Sequence, residues 1–489
     1  MNIIEFCKKH KMGILFYVSY TFYLVLGLCL FGKYNIPRNL FFGTDNRRVF
    51  IDMVCISGDH SRLTVHPLFI LLIQPITLTL GGIVRHVNTT VVLLMAFAGA
   101  VSNCCMYRIL SRYLKKESLR LGFTAIYMFS FCVMLFSTIS ETFIISGMFL
   151  LLFWNYALYK IQSREELNYL DYFLLIFMGI TNFGITITNY IPYVIGLFAI
   201  VMMCIKKNFS RLMCFLGINA VIISAAIVLS KLQRRSWRGN TPFFIDAYRC
   251  LDTSPESFGE AIFMNFDLTK YKLVTEFEQV VVHSFFGGEV FLEGNYFIGF
   301  QSGSKFYPAL AIMITIAVFA SVIWCTIKRV HVLEAWMLSI VYIFNVCMHY
   351  VYSSLESFIF TPHFFYLLII ILALGVSACN EQPIFHGVVW SMVGIEAVTN
   401  ILTYKNLIPL VAAAVERPVK ACEPTILATI VLTTAVAMAI LVARKFLSSV
   451  GWITISPKMD YRAKAFVGIA CYGLLILTVS FSVMRYTAM

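Results

Sequence analysis

The sequence predicts an all-α protein that crosses a membrane many times, and two observations support this prediction. Hydrophobic residues make up 60% of the 489 residues, charged residues only 13%, and the mean hydropathy is +0.81. A water-soluble domain of this composition would leave much apolar surface exposed to solvent. In addition, many apolar runs reach the roughly 20 residues that a helix needs to cross about 30 Å of hydrocarbon.

About 13 segments are predicted to span the membrane on this criterion of length and hydropathy. They are 12–31, 88–107, 120–137, 142–159, 170–187, 190–205, 212–230, 306–327, 332–352, 363–379, 385–403, 424–443 and 465–484. The segment 67–84 is also apolar, but Pro75 and Gly81-Gly82 interrupt it. We therefore expect 67–84 to lie on the outer face as a re-entrant or interfacial helix.

The basic residues predict the orientation of the chain, because Lys and Arg are enriched in cytoplasmic loops. With 67–84 not crossing and the N-terminus inside, the inner segments hold nearly all basic residues of the short connections. They are Lys8, Lys9, Lys11, Arg108, Arg112, Lys115, Lys116, Arg120, Lys160, Arg164, Lys206, Lys207, Arg211, Lys328, Arg329, Arg444, Lys445, Lys458, Arg462 and Lys464. The expected topology has a cytoplasmic N-terminus and an extracytoplasmic C-terminus.

This topology divides the chain into three parts. Residues 1–230 form an N-terminal transmembrane module that includes a first outer loop, 32–87. Residues 231–305 form a large extracytoplasmic loop, too long to be a simple connection, and residues 306–489 supply the C-terminal transmembrane helices. The net charge of +13 follows from basic inner loops and does not indicate nucleic-acid binding. No CxxC pair occurs, so neither a zinc site nor a redox motif is predicted.

The first outer loop concentrates ionisable residues next to the membrane. Between Phe41 and Phe69 the chain carries Asp45, Arg47, Arg48, Asp52, Asp59, His60, Arg62 and His66. Such groups are costly beside hydrocarbon unless they are solvated, paired or used, so this loop is the candidate working site.

Four short motifs resemble the GT-C superfamily of integral-membrane glycosyltransferases, above all its aminoarabinose-transferase and protein O-mannosyltransferase type. Asp45 follows the first helix, and His66-Pro67-Leu68 is similar to that type's His-Pro-Pro-Leu. Glu141 stands where the superfamily carries a second acid, and the segment around His363 is placed like its Arg-Tyr-x-x-Pro motif. Asn46 replaces the second acid of a pair, and the arginine of the late motif is absent. The resemblance covers roughly residues 1–160 and, loosely, 356–379.

The resemblance implies a GT-C-like fold and a glycosyltransferase in a bacterial plasma membrane. Such an enzyme moves a sugar from a polyprenyl-phosphate carrier to an acceptor hydroxyl on the extracytoplasmic face. Its expected partners are this lipid-linked donor, membrane lipids, and an envelope glycan, lipid or protein as acceptor, with no nucleic acid. No cofactor is certain, and a divalent metal is left open.

Three acids are the candidate catalytic residues. The acceptor hydroxyl needs a general base, and Asp45 is the first choice; the alternative is a structural carboxylate paired with Arg47 or Arg48. Glu141 would assist Asp45, hold a metal, or cap the next helix near its N-terminus. Asp52 lies seven residues after Asp45, so on one helix it would point the same way; it has either a paired or a solvated role.

The candidate substrate-binding residues are cations and residues of the outer face. The leaving phosphate needs positive charge, which arginine supplies in a bidentate form. They are Arg47, Arg48, His66, Arg234, Arg235, Arg238, Glu356 and His363. His66 would contact the donor or acceptor, or face water at a helix start. The three arginines from 234 to 238 are either a lipid-headgroup anchor or a clamp on the donor phosphate.

Two other functions compete with the glycosyltransferase. The first is a flippase or other transporter of lipid-linked sugar, for which Glu396 inside a predicted span would be a proton or ion site; its alternative role is a neutral hydrogen-bond partner between helices. The second is an O-antigen polymerase or ligase type of enzyme, which also has a large outer loop. Loss of activity on substitution of Asp45 would separate the glycosyltransferase from the polymerase or ligase.

Overall fold

The computed structural model describes residues 3–32, 40–237, 274–275, 277–294, 297–301, 306–352 and 357–415. In these ranges the chain is mostly helical, and eight helices are long and apolar enough to cross a membrane. A ninth span results if Ser357–His363 and the helix after it, which meet at 59°, are counted as one. The prediction of a polytopic helical membrane protein is therefore confirmed, whereas the last two predicted spans lie outside the described residues.

The helices are numbered in chain order. They are α1 (Ile3–Leu30), α2 (Asn46–Val54), α3 (Phe69–Val84), α4 (Val87–Tyr113), α5 (Glu117–Phe129), α6 (Phe131–Phe136), α7 (Thr142–Ser163), α8 (Tyr169–Ile185), α9 (Tyr190–Cys204), α10 (Asn208–Ser236), α11 (Phe306–Lys328), α12 (Val332–Tyr352), α13 (Phe365–Ala378) and α14 (Pro383–Ala414). Short 3-10 segments cover Ser61–Thr64, Ile187–Asn189 and Ser357–His363, and Glu278–Val282 is a π-helical turn that continues into His283–Phe285.

The described residues are mostly helical, as expected, and the described part of 231–305 adds a β-hairpin that was not predicted. Strand β1 (Val290–Glu293) pairs antiparallel with β2 (Phe297–Phe300). The first outer loop adds to the free edge of β2: the N–H of Phe42 donates to the carbonyl of Ile298 (2.8 Å), and the N–H of Ile298 donates to that of Leu40 (2.6 Å). Backbone hydrogen bonds thus join the two outer loops.

The long helices alternate in direction, so their connections collect at two ends of the bundle. Near one end the amide of Asn88 donates to the carbonyl of Phe31 (3.4 Å), and near the other Lys11 pairs with Glu117 (3.3 Å). The first end also carries Asp45 and is called the Asp45 end. The second is called the basic end, because it holds Arg112, Lys115, Lys116, Arg120, Lys160, Arg164, Lys206, Lys207, Arg211, Lys328 and Arg329.

Helix α3, which covers the ambiguous segment 67–84, has both of its ends at the Asp45 end. The N–H of Leu68 donates to the carbonyl of Gly184 (2.8 Å), at the close of α8. Gly81 lies beside Thr90 in the first turn of α4. A helix of 16 residues that leaves and rejoins one end of the bundle does not connect the two ends. This arrangement supports the expectation that 67–84 is re-entrant or interfacial.

The predicted span 120–137 is broken rather than continuous. Helix α5 ends at Phe129, Ser130 has extended backbone angles, and α6 begins at Phe131. The break frees the carbonyl of Phe129, and the side-chain amide of Asn400 on α14 donates to it (2.7 Å). A polar residue on a distant helix therefore replaces the missing helical hydrogen bond, as irregular backbone at membrane depth requires.

Candidate functional site

Asp45 stands directly before α2, at its N-cap position, but its side chain makes no capping hydrogen bond. Its carboxylate instead forms an ion pair with the guanidinium of Arg48, one helical turn later. The side chains of Asp45 and Arg48 keep 14% and 27% exposure, so the pair is partly exposed. The predicted alternative, an Asp45 carboxylate paired with Arg48, is present in the structure.

The structure brings Asp45 and Glu141 together although they are 96 residues apart. The backbone N–H of Asp45 donates to Oε1 of Glu141 (2.6 Å), and the N–H of Thr142 donates to Oε2 (2.8 Å). Glu141 is only 1% exposed. One carboxylate therefore caps α7 and fixes the start of α2, so the predicted capping role is confirmed, together with a direct contact to Asp45.

Asn46 makes a second connection between the same two segments. Its side-chain amide donates to the carbonyl of Ser140 (3.1 Å), and the hydroxyl of Ser140 donates to the carbonyl of Asn46 (2.8 Å). The hydroxyl of Thr44 donates to the Asn46 side-chain oxygen. In this chain, the residue that replaces the expected second acid holds the loop against the start of α7.

Asp52 lies on α2 as expected, but it is buried and bound to His60. Nδ1 of His60 donates to its carboxylate at 2.7 Å, and the amide of Gln74 donates to its carbonyl (2.9 Å). Burial raises the pKa of Asp52, and the hydrogen bond from His60 opposes this shift. Asp52 thus has the paired role of the two predicted. The pairing of Asp52 with His60 was not predicted, because His60 lies beyond the end of α2 and helical periodicity does not relate the two residues.

His66 is buried and does not face water, so the alternative of a solvent-facing ring is wrong. Its Nδ1–H donates to the carbonyl of Ile185 (2.7 Å) and lies 3.2 Å from the hydroxyl of Thr186. The ring is therefore oriented by the end of α8. It also lies within electrostatic range of His363.

His363 and His349 form a buried pair beside the start of α7. Their ring centroids are 5.8 Å apart, and the ring of Phe143, two residues after Glu141, lies 5.3 Å from that of His363. Both histidines are at most 3% exposed. In the described part of the chain, none of their four ring nitrogens has a hydrogen-bond partner. Buried polar atoms without partners are uncommon and call for an explanation.

The predicted arginines take different positions around this end of the bundle. Arg47 is exposed, and so are Arg234 and Arg235 in the last turn of α10. That turn is attached to the His66-Pro67 region, because the amide of Gln233 donates to the carbonyl of Pro67 and accepts from the N–H of Leu71, both at 2.9 Å. Arg238 and Glu356 lie outside the described residues.

Aromatic rings cover the loop that precedes Asp45. Phe42 stacks on Phe300 of β2 (ring centroids 4.3 Å apart) and meets Phe358 edge-on (5.1 Å). His283 stacks on the same Phe300 at 3.8 Å. The lack of a side chain at Gly287 lets the backbone there pack against Phe131, since a Cβ atom would lie 2.7 Å from the Phe131 side chain. The second outer segment is thereby packed onto the first.

Glu396 is fully buried on α14, one turn before Asn400. Neither carboxylate oxygen has a hydrogen-bond partner among the residues that the structure describes. It lies within electrostatic range of the thiol of Cys132 at the start of α6. The predicted role as a hydrogen-bond partner between helices therefore belongs to Asn400 and not to Glu396.

Metal coordination is not supported within the described ranges. No three side chains of His, Cys, Asp or Glu there are close enough together to hold a metal ion. Glu141 uses both oxygens on backbone amides, and Asn46 supplies no carboxylate.

No protein-family model matches the chain, and neither a curated protein nor a solved structure matches it. The membrane-protein class therefore comes from the helices themselves, and the GT-C likeness stays a prediction.

Proposed function

We propose that this protein is a GT-C-type glycosyltransferase. It moves a sugar from a polyprenyl-phosphate carrier to an acceptor hydroxyl on the extracytoplasmic face. The proposal is supported by the contact between Asp45 and Glu141, the two acids that the resemblance selected independently in distant parts of the sequence. The backbone N–H of Asp45 donates to the Glu141 carboxylate (2.6 Å), and Arg48 pairs with Asp45 at the same end of the bundle.

In the proposed reaction, Asp45 is the general base. Its carboxylate accepts the proton of the acceptor hydroxyl while the hydroxyl oxygen forms a bond to the anomeric carbon. The bond between that carbon and the phosphate oxygen breaks, and the polyprenyl phosphate leaves with the electron pair. This displacement needs one base on the protein and no acid, because the phosphate is a stable anion.

Arg48 has two successive partners in this scheme. Without substrate it pairs with Asp45; with the donor bound, its guanidinium turns to the phosphate oxygens and frees the Asp45 carboxylate. A guanidinium suits the phosphate because it can form two parallel hydrogen bonds. The exposed Arg47, Arg234 and Arg235 add positive charge near the same end.

Glu141 is assigned a positioning role and not a catalytic one. Both of its oxygens accept hydrogen bonds from backbone amides, and it is almost fully buried. A fixed backbone at residue 45 limits where the base can point, and misplacement by about 1 Å can cost on the order of 100-fold in rate.

A transporter of lipid-linked sugar is the second candidate, and Glu396 is the observation that favours it. A buried carboxylate with unpartnered oxygens inside a spanning helix is a functional candidate by default. The transporter requires Glu396, whereas the transferase requires Asp45, so substitutions at these two positions separate the functions.

The test of the transferase is substitution of Asp45→Asn in the full-length protein, with Asp59→Asn as the matched control. Asp59 is an exposed acid of the same loop. Transfer of labelled sugar from a polyprenyl-phosphate donor in proteoliposomes is expected to fall at least about 100-fold in Asp45→Asn and to stay unchanged in the control. Full transfer by Asp45→Asn would refute the assignment. Movement of lipid-linked sugar across the proteoliposome membrane that is lost in Glu396→Gln and kept in Asp45→Asn would favour the transporter.

A further inference from the structure

Helices α9 and α10 enclose a groove at the basic end, far from Asp45. It measures about 360 Å³ and is called the α9–α10 groove. Its lining is Phe198, Val201, Met202, Asn208, Arg211, Leu212 and Phe215. This volume is within the usual range of small-molecule sites. The groove takes no part in the proposed transfer reaction.

One rim of the groove is positively charged and held in place. The guanidinium of Arg211 donates from Nε to the carbonyl of Ile205 (2.5 Å) and from Nη1 to the side chain of Asn208 (2.9 Å). Lys207 is the N-cap residue of α10, and the first turn of that helix contains no acid. The nearby Lys206 is already paired with Glu166 (2.8 Å). Arg211 therefore lines the groove in a fixed orientation, and Lys207 is exposed one residue before the lining residue Asn208.

The rest of the groove is apolar and runs into the depth of the membrane. Phe198 lies six residues before the end of α9 and Phe215 four residues after Arg211, or roughly 9 Å and 6 Å along their helices. Their rings meet edge-on at 5.8 Å and form the floor. Phe198, Met202 and Leu212 are exposed. The basic rim is complementary to the headgroup of an anionic lipid, and the apolar walls are complementary to its acyl chain.

We propose that the α9–α10 groove binds one anionic phospholipid, with its phosphate on Arg211 and Lys207 and an acyl chain lying over the rings of Phe198 and Phe215. The positive rim favours an anionic headgroup over a zwitterionic one, since juxtamembrane basic residues attract anionic lipids. The apolar walls select a lipid over free phosphate, which would leave them empty. The lipid links α9 to α10 in the leaflet at the basic end.

The test is native mass spectrometry of the full-length protein in detergent. The protein is titrated with phosphatidylglycerol or with phosphatidylcholine of the same acyl chains. The wild type is expected to retain one phosphatidylglycerol with an affinity about 10-fold or more above that for phosphatidylcholine. The double variant Lys207→Gln with Arg211→Gln is expected to lose this preference. Met202→Trp, which narrows the groove and keeps the charge, is expected to weaken retention of both lipids.

The matched control is Lys328→Gln with Arg329→Gln, which removes the same charge from another loop of the basic end. It is expected to bind phosphatidylglycerol like the wild type. An equal loss in this control would show that overall charge and not the groove selects the lipid, and would overturn the proposal. So would equal wild-type affinity for both lipids, displacement of phosphatidylglycerol by millimolar inorganic phosphate, or unchanged retention by Met202→Trp. If the double variant of Lys207 and Arg211 does not fold, lipid retention by Met202→Trp tests the proposal instead.

Discussion

Two ion pairs, one at each end of the bundle, differ in burial. At the basic end, Lys160 and Asp171 lie 2.8 Å apart and both are 0% exposed. Asp171 also accepts hydrogen bonds from the hydroxyl of Tyr156 (2.8 Å) and the N–H of Asn168 (2.9 Å). At the Asp45 end, the pair of Asp45 and Arg48 is partly exposed.

The difference in burial predicts different roles for the two pairs, one structural and one able to change its partner. A buried pair with satisfied hydrogen bonds holds one arrangement, because loss of either partner leaves an uncompensated charge. An accessible pair can exchange its partner for a ligand at little cost. Lys160 and Asp171 thus fasten α7 to α8, whereas in the proposed reaction Arg48 and Asp45 separate when the donor binds.

The largest effect is expected from Lys160→Met, which leaves Asp171 buried without its cation. Breaking a buried pair in this way destabilises by about 3–5 kcal/mol, and the unfolding temperature in detergent should fall clearly. Lys206→Met breaks the exposed pair with Glu166 and is the matched control, with an unchanged unfolding temperature. An unchanged unfolding temperature of Lys160→Met would contradict the stabilising role of the buried Lys160–Asp171 pair.

The next effect is expected from Glu141→Gln. The Gln side chain has one acceptor oxygen, so only one of the two backbone N–H groups of Asp45 and Thr142 keeps its partner. A hydrogen bond to a charged group contributes about 1.5–3 kcal/mol to stability. Because Glu141 positions Asp45, kcat for transfer should fall by about 10-fold or more while KM for the lipid donor stays the same. A purely structural role would lower the unfolding temperature and leave kcat per folded molecule unchanged, and that outcome contradicts the positioning role.

A smaller effect is expected from Arg48→Gln, which tests the functional side of the comparison. The donor should bind less tightly, with KM raised by about 10-fold, because the phosphate loses its guanidinium. The unfolding temperature should change little, since the pair is partly exposed. Arg47→Gln is the control, with a smaller rise in KM. If Arg48→Gln lowers the unfolding temperature and leaves KM unchanged, the Asp45–Arg48 pair has a structural role, like the Lys160–Asp171 pair.

The smallest effect concerns pH and Asp52. Its pKa is raised by burial from the ordinary value of 3.8, so the folded protein holds this proton more tightly than the unfolded chain does. The stabilisation from this proton is present below the ordinary pKa and is lost as pH rises through the folded-state pKa.

The stability of the wild type relative to Asp52→Asn should therefore decrease as pH rises above the ordinary value of 3.8, as measured by thermal unfolding of both proteins. A difference that grows with pH would mean that His60 outweighs burial and lowers the pKa instead.

The sequence predicted the contact between Asp45 and Glu141 only through the resemblance, while helix length and hydropathy predicted most of the spans. The break at Ser130 was missed because no proline or glycine marks it, and because Asn400, which satisfies the freed carbonyl, is 271 residues from Phe129. The hairpin was missed because part of its backbone pairing is with Phe42, which lies far away in the sequence, in the first loop. Periodicity reports local order, and these features depend on partners far along the chain.

The backbone bonds between Phe42 and Ile298 also constrain how the molecule is made. Roughly half of the chain separates these residues, so ribosomal synthesis delivers the acidic loop long before the strand that completes it. Contacts of such long range form late. The nascent protein therefore carries the segment before Asp45 without its strand partner until the hairpin has been translated.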